Sequence, residues 1–204
     1  MRWQHMPDSN PNNGYCLVSG SYQTRNSGEM ICITDFVIDE TSGFGACDTI
    51  PWQNGCRNLN LGESKRWGTI AYLKAQYGVE NLVYNPYECT QIENEKTITE
   101  INKHPVDTVT SFSVLNVIET ETERAEHIQL AYVALRQNGT AFFKIFRRNN
   151  DRKPIAGETE EGKWYQANRP AVDFLSEVQT IFGNKNAWVA PDDIGNTIVA
   201  KKIN

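Results

Sequence analysis

The sequence predicts an open α/β fold: a mostly parallel sheet that ends in an antiparallel C-terminal hairpin, preceded by an N-terminal extension. Three observations predict it. From residue 57 onward, short β-branched or leucine-rich runs alternate with segments of helical period, and strands separated by helices pair in parallel through crossovers. The last two apolar runs, 186–190 and 196–202, lie too close together to hold a helix between them, so they run antiparallel. Residues 1–56 lack that alternation, and the chain divides into an arm with a β-hairpin over 1–56 and an α/β unit over 57–204.

Taken in order, residues 1–14 are rich in Asn, Pro and Asp and read as a loose arm. Two β-like stretches, 15–22 and 30–38, flank the polar segment TRNSGE, which suits a hairpin. Breakers at Gly43, Gly45, Pro51 and Gly55 make 39–56 irregular. RNLNLG reads as a short buried strand ending at Gly62. Residues 66–78 follow with Ile70, Leu73 and Tyr77 at helical spacing and Gly78 at the stop. NLVYNP, 81–86, is a strand stopped by Pro86, and 97–101 reads as a further short strand.

VDTVTSFSV, 106–114, is β-branched and alternating, hence a strand. Residues 120–137 carry Ala125, Ile128, Ala131, Tyr132 and Leu135 on one helical face, with Glu119, Glu121 and Glu123 at the positive end of its dipole. Asn138-Gly139 is expected to end that helix, and AFFKIF, 141–146, to form the next strand. A polar excursion over 147–168 precedes a helix over 170–182, with Pro170 in its first turn and Gly183 past its end.

Composition removes several functions. No apolar run approaches the roughly 20 residues that a bilayer span needs, so no membrane helix is expected. The net charge of -5 argues against a protein that coats nucleic acid through a basic stripe. The positive charge is nonetheless uneven: residues 1–146 hold 11 basic against 17 acidic side chains, and 147–204 hold 9 against 8. Five cysteines, an odd number with no Cys-x-x-Cys and no apolar leader, read as reduced thiols of a cytoplasmic protein. No metal site is expected. There are 20 Asn, and two of them fall at positions that bear on function.

The element order, with four of its segments, resembles the class I S-adenosylmethionine-dependent methyltransferases, which have a Rossmann-like sheet. The likeness covers about 57–202. RNLNLGESKRWGT resembles the first strand and its glycine loop. NLVYNPYE resembles the second strand, whose end in the family carries an acid for the ribose hydroxyls. VDTVTSFSVLNVIETETERAEHI resembles the fourth strand and its helix, and LRQNGTAFFKIFRR the approach to the fifth strand. The string VLNVIE with Arg124, together with Tyr84-x-Pro86-Tyr87, is similar to methyltransferases associated with DNA phosphorothioation.

The resemblance implies an S-adenosyl-L-methionine site built from Asn60, Gly62, Glu63, Ser64, Gly68, Tyr84, Asn85, Pro86, Ser111, Phe112 and Asn116. It departs from the family at two acids, replaced here by Asn60 and Asn85, and at Arg66 in the loop. Asn85 keeps a hydrogen-bond acceptor but loses the charge-assisted strength, roughly twice that of a neutral bond. A second reading follows from those departures: a methyltransferase-like binding or partner protein without activity. A third, another nucleotide-binding α/β protein, lacks a complete Gly-x-Gly-x-x-Gly or Walker loop.

NPYE at 85–88 also resembles the [DN]-P-P-[FYW] motif of amino-methyltransferases, with one proline missing. The acceptor, nucleic acid or small molecule, is expected against Arg147, Arg148, Trp164, Tyr165, Asn168 and Arg169. Arginines suit phosphate, and aromatics beside polar groups suit a stacked base. No catalytic base is identifiable, and Glu126 and His127 read as surface positions on their helix.

Overall fold

The computed structural model describes residues 15–18, 20–24, 30–32, 50–62, 69–147, 151–159, 162–191 and 196–203. In the N-terminal part, β1 (Tyr15–Val18), β2 (Gly20–Thr24) and β3 (Met30–Cys32) form a three-stranded antiparallel sheet in that order. The expected first stretch is thus two strands, and the TRNSGE segment joins β2 to β3 through the Thr24↔Met30 pair. Residues 33–38 of the second stretch lie outside the described residues.

The main sheet has six strands in the order β10-β11-β7-β6-β4-β5. Next to the edge lies β4 (Arg57–Leu61), which pairs in parallel with the edge strand β5 (Glu80–Tyr84) on one side and β6 (Val106–Phe112) on the other. β7 (Leu135–Lys144) adds in parallel to β6. β11 (Thr197–Lys201) runs antiparallel to both β7 and β10 (Ala187–Val189). The expected parallel sheet with an antiparallel terminal hairpin is therefore present.

Between β4 and β5 lies α1 (Thr69–Tyr77), which ends where Gly78 takes a φ of 67° and donates its N–H to the Lys74 carbonyl. Residues 97–101 are not a strand but lie inside α2 (Gln91–Lys103). The β-branched run Thr97, Ile98, Thr99 suggested a strand, but the stronger local signal is a capping box. Thr90 accepts from the Glu93 N–H, and the Glu93 side chain accepts from the Thr90 N–H. Ile98 and Ile101 then fall one turn apart and pack on the core, while the Thr97 hydroxyl donates to the Val83 carbonyl of β5 at 2.9 Å. Among the described residues, no strand lies outside β5.

α3 (Glu121–Ala134) starts at Thr120, whose hydroxyl accepts from the Glu123 N–H at 3.2 Å. It stops earlier than expected. Val106 pairs with Leu135, so the chain enters β7 directly, and Asn138-Gly139 makes a register shift inside the ladder rather than a helix end. The buried stripe of α3 is Arg124, Ile128, Ala131 and Ala134, and Ala125 is exposed, contrary to the expected face.

The polar excursion after β7 holds a second hairpin, β8 (Ile155–Thr159) and β9 (Gly162–Gln166). The helix expected over 170–182 divides into a 3-10 turn at Ala171–Phe174 and α4 (Leu175–Phe182).

Strand alternation divides the core in two. Leu59, Leu61, Val109 and Phe143 face α2, α3 and α4, packing with Ile128, Phe174 and Phe182. Phe112, Phe142 and Val199 face the opposite way, toward Leu73 of α1 and Val79. Asn58 and Asn60 share this second face by alternation. Asn58 donates to Asn81 Oδ1 at 2.6 Å and to Thr110 Oγ1 at 2.9 Å, and accepts from the Thr108 hydroxyl at 2.9 Å. No helix among the described residues is long and apolar enough to cross a membrane.

Candidate functional site

The chain leaves β4 for β5 on one side and returns across β4 to β6 on the other. The connections thus diverge at the carboxyl ends of β4 and β6, the place where an open α/β sheet leaves a ligand crevice. The loops there carry the unusual backbone. Gly62, directly after β4, has a φ of 97°. Ser113, directly after β6, has a φ of 59°, uncommon for a residue with a side chain. Its N–H donates to the Lys144 carbonyl at the end of β7. No pattern in the sequence marks Ser113.

The loops after β4 and β5 are tied. The Gly62 N–H donates to the Tyr84 carbonyl at 2.9 Å, and Asn85 Nδ2 donates to the Gly62 carbonyl at 3.1 Å. Asn85 is 1% exposed. Its Oδ1 accepts from the Tyr87 and Glu88 N–H groups at 3.0 and 3.3 Å. That oxygen therefore shapes the 85–88 turn. Asn94 on α2 locks the same turn, accepting from the Asn85 N–H and donating to the Asn85 carbonyl, both at 3.0 Å. Tyr84 and Pro86 line a groove of about 580 Å³ between the end of β5 and α2, with Gln91, Asn94 and Ile98. Asn60 is buried in mid-strand at 2% exposure. Glu63, Ser64 and Gly68 lie outside the described residues.

On β6, Ser111 and Phe112 are both buried. The Ser111 hydroxyl lies 2.9 Å from Nε2 of His127. This corrects the expectation that His127 sits on the helix surface. A shift of the buried stripe by one position places it beside Arg124 and Ile128, against β6. Burial pushes its imidazole down from 6.5 to about 4, so the ring is neutral near pH 7.

Asn116 follows in a 3-10 turn at Leu115–Val117 and is fully buried. Its carbonyl accepts from the Ala167 N–H, just past β9, at 2.7 Å. The loop's far end is held by Arg124. This guanidinium makes two bonds to Glu177 on α4, at 2.6 and 3.1 Å. It also donates to the Ile118 and Glu119 carbonyls.

The expected acceptor residues divide between the hairpin and its base. Trp164 lies across Gly157 of the paired strand, so close that a Cβ on Gly157 would come within 2.6 Å of the indole. Tyr165 lines a smaller crevice of about 290 Å³ with Arg124, Arg152 and Arg169. Asn168 is fully buried and donates to the Lys153 carbonyl. Arg169 stacks its guanidinium 4.2 Å from the Phe174 ring centre. Arg147 is exposed, and Arg148 lies outside the described residues. The cations here are opposed by carboxylates: Arg152 faces Asp173 at 3.6 Å, and Arg169 faces Glu177 at 3.9 Å.

No protein-family model and no curated protein matches the chain. A solved sugar N-methyltransferase from Streptoalloteichus sp. superposes with a TM-score of 0.51 at 11% identity, over 78% of this chain and 84% of that one. The chain has a Rossmann-like methyltransferase fold. A methyltransferase from Streptomyces caelestis superposes at 0.48 and 12% identity, over 76% and 86% of the two chains. An amino pentose methyltransferase from Micromonospora echinaspora, with S-adenosylmethionine bound, superposes at 0.45 and 12% identity, over 77% and 86%.

Proposed function

We propose that this chain is an S-adenosylmethionine-dependent methyltransferase. The observation that carries the reading is the joined backbone at the divergence point: Gly62 with its φ of 97°, tied to Asn85, and Ser113 with its φ of 59° across β6. A glycine in that conformation lets a ligand lie against bare backbone where a Cβ would intrude. These residues fit the cofactor, with Gly62 toward its methionine end and the Tyr84–Pro86 turn toward its ribose. Glu63, Ser64 and Gly68 complete the loop by resemblance, and Ser111, Phe112 and Asn116 lie toward the transferable methyl.

Bound S-adenosylmethionine supplies an electrophilic methyl on a sulfonium sulfur. The chain's own contribution is alignment and exclusion of water, the proximity effect. The Gly62–Asn85 tie and the Asn85–Asn94 exchange fix the two cofactor loops relative to each other. Asn85 acts here by holding the turn, which is how the chain dispenses with an acid at this position. The Arg124–Glu177 pair fixes the loop after β6, which places Asn116. The finer reading, a methyltransferase associated with DNA phosphorothioation, rests on the resemblance of VLNVIE and Arg124 to that group. We place the acceptor under the β8–β9 hairpin, beside Trp164, Tyr165, Asn168 and Arg169.

Isothermal titration with S-adenosylhomocysteine at up to millimolar concentration tests the reading. Saturable binding is expected. An absence of heat over that range overturns it and leaves a methyltransferase-like scaffold without cofactor.

A further inference from the structure

Among the described residues, Asn116 and Gln166 are the two whose carboxamides have both the oxygen and the nitrogen buried without a partner. They are 0% and 1% exposed. Leaving buried polar groups unpaired is costly, so these four atoms call for a partner from outside the fold. The two residues are neighbours through the chain. Gln166 ends β9, and the next N–H, that of Ala167, donates to the Asn116 carbonyl.

The hairpin adds an aromatic surface. Gln166 pairs with Ile155 and Trp164 with Gly157. Side chains two residues apart on a strand share a face, so the Trp164 indole and the Gln166 carboxamide project the same way. Charge is not what this place is built to receive. Arg152 faces Asp173, Arg169 shares Glu177 with Arg124, and the two unpaired carboxamides carry no charge to balance an ion, whose burial without a counter-charge is costly.

We infer that Asn116 and Gln166 read the donor–acceptor edge of an uncharged planar heteroaromatic ring, the chemistry of a nucleobase, in the methyl acceptor. A carboxamide presents an N–H donor beside a carbonyl acceptor. That pair complements a ring edge carrying an amino group beside a ring nitrogen, or an N–H beside a carbonyl. The Trp164 indole supplies a stacking surface for the same ring. The inference rests on the methyltransferase reading and names the acceptor class of that site.

The test is titration of adenosine, cytidine and guanosine into the full chain saturated with S-adenosylhomocysteine, followed by the same titrations with Gln166→Met and Asn116→Leu. At least one nucleoside should bind. Each variant should weaken it about tenfold or more, while its melting temperature without ligand stays level or rises, because an unpaired buried carboxamide has been removed. A short single-stranded oligonucleotide separates the two sources of such a ring. Affinity equal to the nucleoside's assigns a free small molecule, and tighter binding that salt abolishes assigns a strand; both retain the subsite. Binding of none of the nucleosides, or variants that bind as the wild type does, overturns the inference in favour of trapped water at the carboxamides. Loss of folding in both variants overturns it in favour of a structural role. If S-adenosylhomocysteine itself fails to bind, the methyltransferase reading fails separately, and the nucleoside titrations still report on the subsite.

Discussion

Gly62 and Asn85 hold each other's loops in place: Asn85 Nδ2 donates to the Gly62 carbonyl at 3.1 Å, and its Oδ1 accepts from the following turn. Asn85→Ala removes both at a site 1% exposed. It should lower the unfolding free energy by about 2 kcal/mol or more, read from urea denaturation. Asn85→Asp keeps the acceptor but sets a carboxylate oxygen against the Gly62 carbonyl. It should also destabilise, although it restores the acid that the resembling family carries. An Asp variant as stable as the wild type would show that the tie to Gly62 is unimportant.

His127 gives the fold a pH dependence. Its imidazole sits at about 4 rather than 6.5. Between those values the unfolded chain binds a proton that the folded one does not. Stability is therefore full above the unfolded value and falls as the pH drops toward the folded value. The stability difference between wild type and His127→Gln should slope across pH 4 to 6.5 by up to ~1.4 kcal/mol per unit. A difference that stays flat over that window would remove His127 as the source.

Arg124 is nearly sealed, with a side-chain exposure of 4%, and Glu177 is its counter-charge. Glu177→Ala should cost about 3 kcal/mol, because it strands a buried guanidinium. Arg124→Met in the same background should recover part of that loss. A double-mutant cycle measures the coupling, and strictly additive single effects would contradict it.

Gly139 lies where β7 shifts register. A Cβ there would meet the Arg136 carbonyl and a Leu135 methyl at 2.9 Å, and the Asp107 carbonyl at 3.0 Å. Two of the three neighbours are backbone and yield little. Gly139→Ala should therefore lower the melting temperature, with about 1–3 kcal/mol lost. An unchanged melting curve would mean that the bulge can relax.

The sequence carried β4, β6 and the second half of β7 well, because RNLNL alternates, VDTVTSF is β-branched and AFFK is mostly apolar, and each run ends at a breaker or a turn. It carried α2 badly. Thr97, Ile98 and Thr99 look like a strand in isolation, and only the reciprocal Thr90–Glu93 cap reveals the helix. On α3 the buried stripe lies one position away from the apolar pattern, since Arg124 buries its length against Phe174 and Glu177 while Ala125 faces solvent. Rotating the stripe brings His127 to Ser111, a contact between residues 16 positions apart that no spacing rule marks. Of the expected glycine loop, Gly62 is the residue described, with its φ of 97°. Ser113 carries its backbone strain in an ordinary serine, and the burial of Gln166 depends on a hairpin hidden inside a polar stretch.

The Asn58–Asn81–Thr110 hydrogen bonds cross three adjacent strands on the face opposite Leu59 and Leu61. A parallel sheet made only of aliphatic side chains could pair one residue out of step at modest cost. Here a slip of one residue would drive Asn58 into the leucine-lined side and strand its carboxamide there. The ladder therefore works as an alignment key. It selects the one pairing of β5, β4 and β6 that brings Gly62, Asn85 and Ser113 level at the sheet's carboxyl edge.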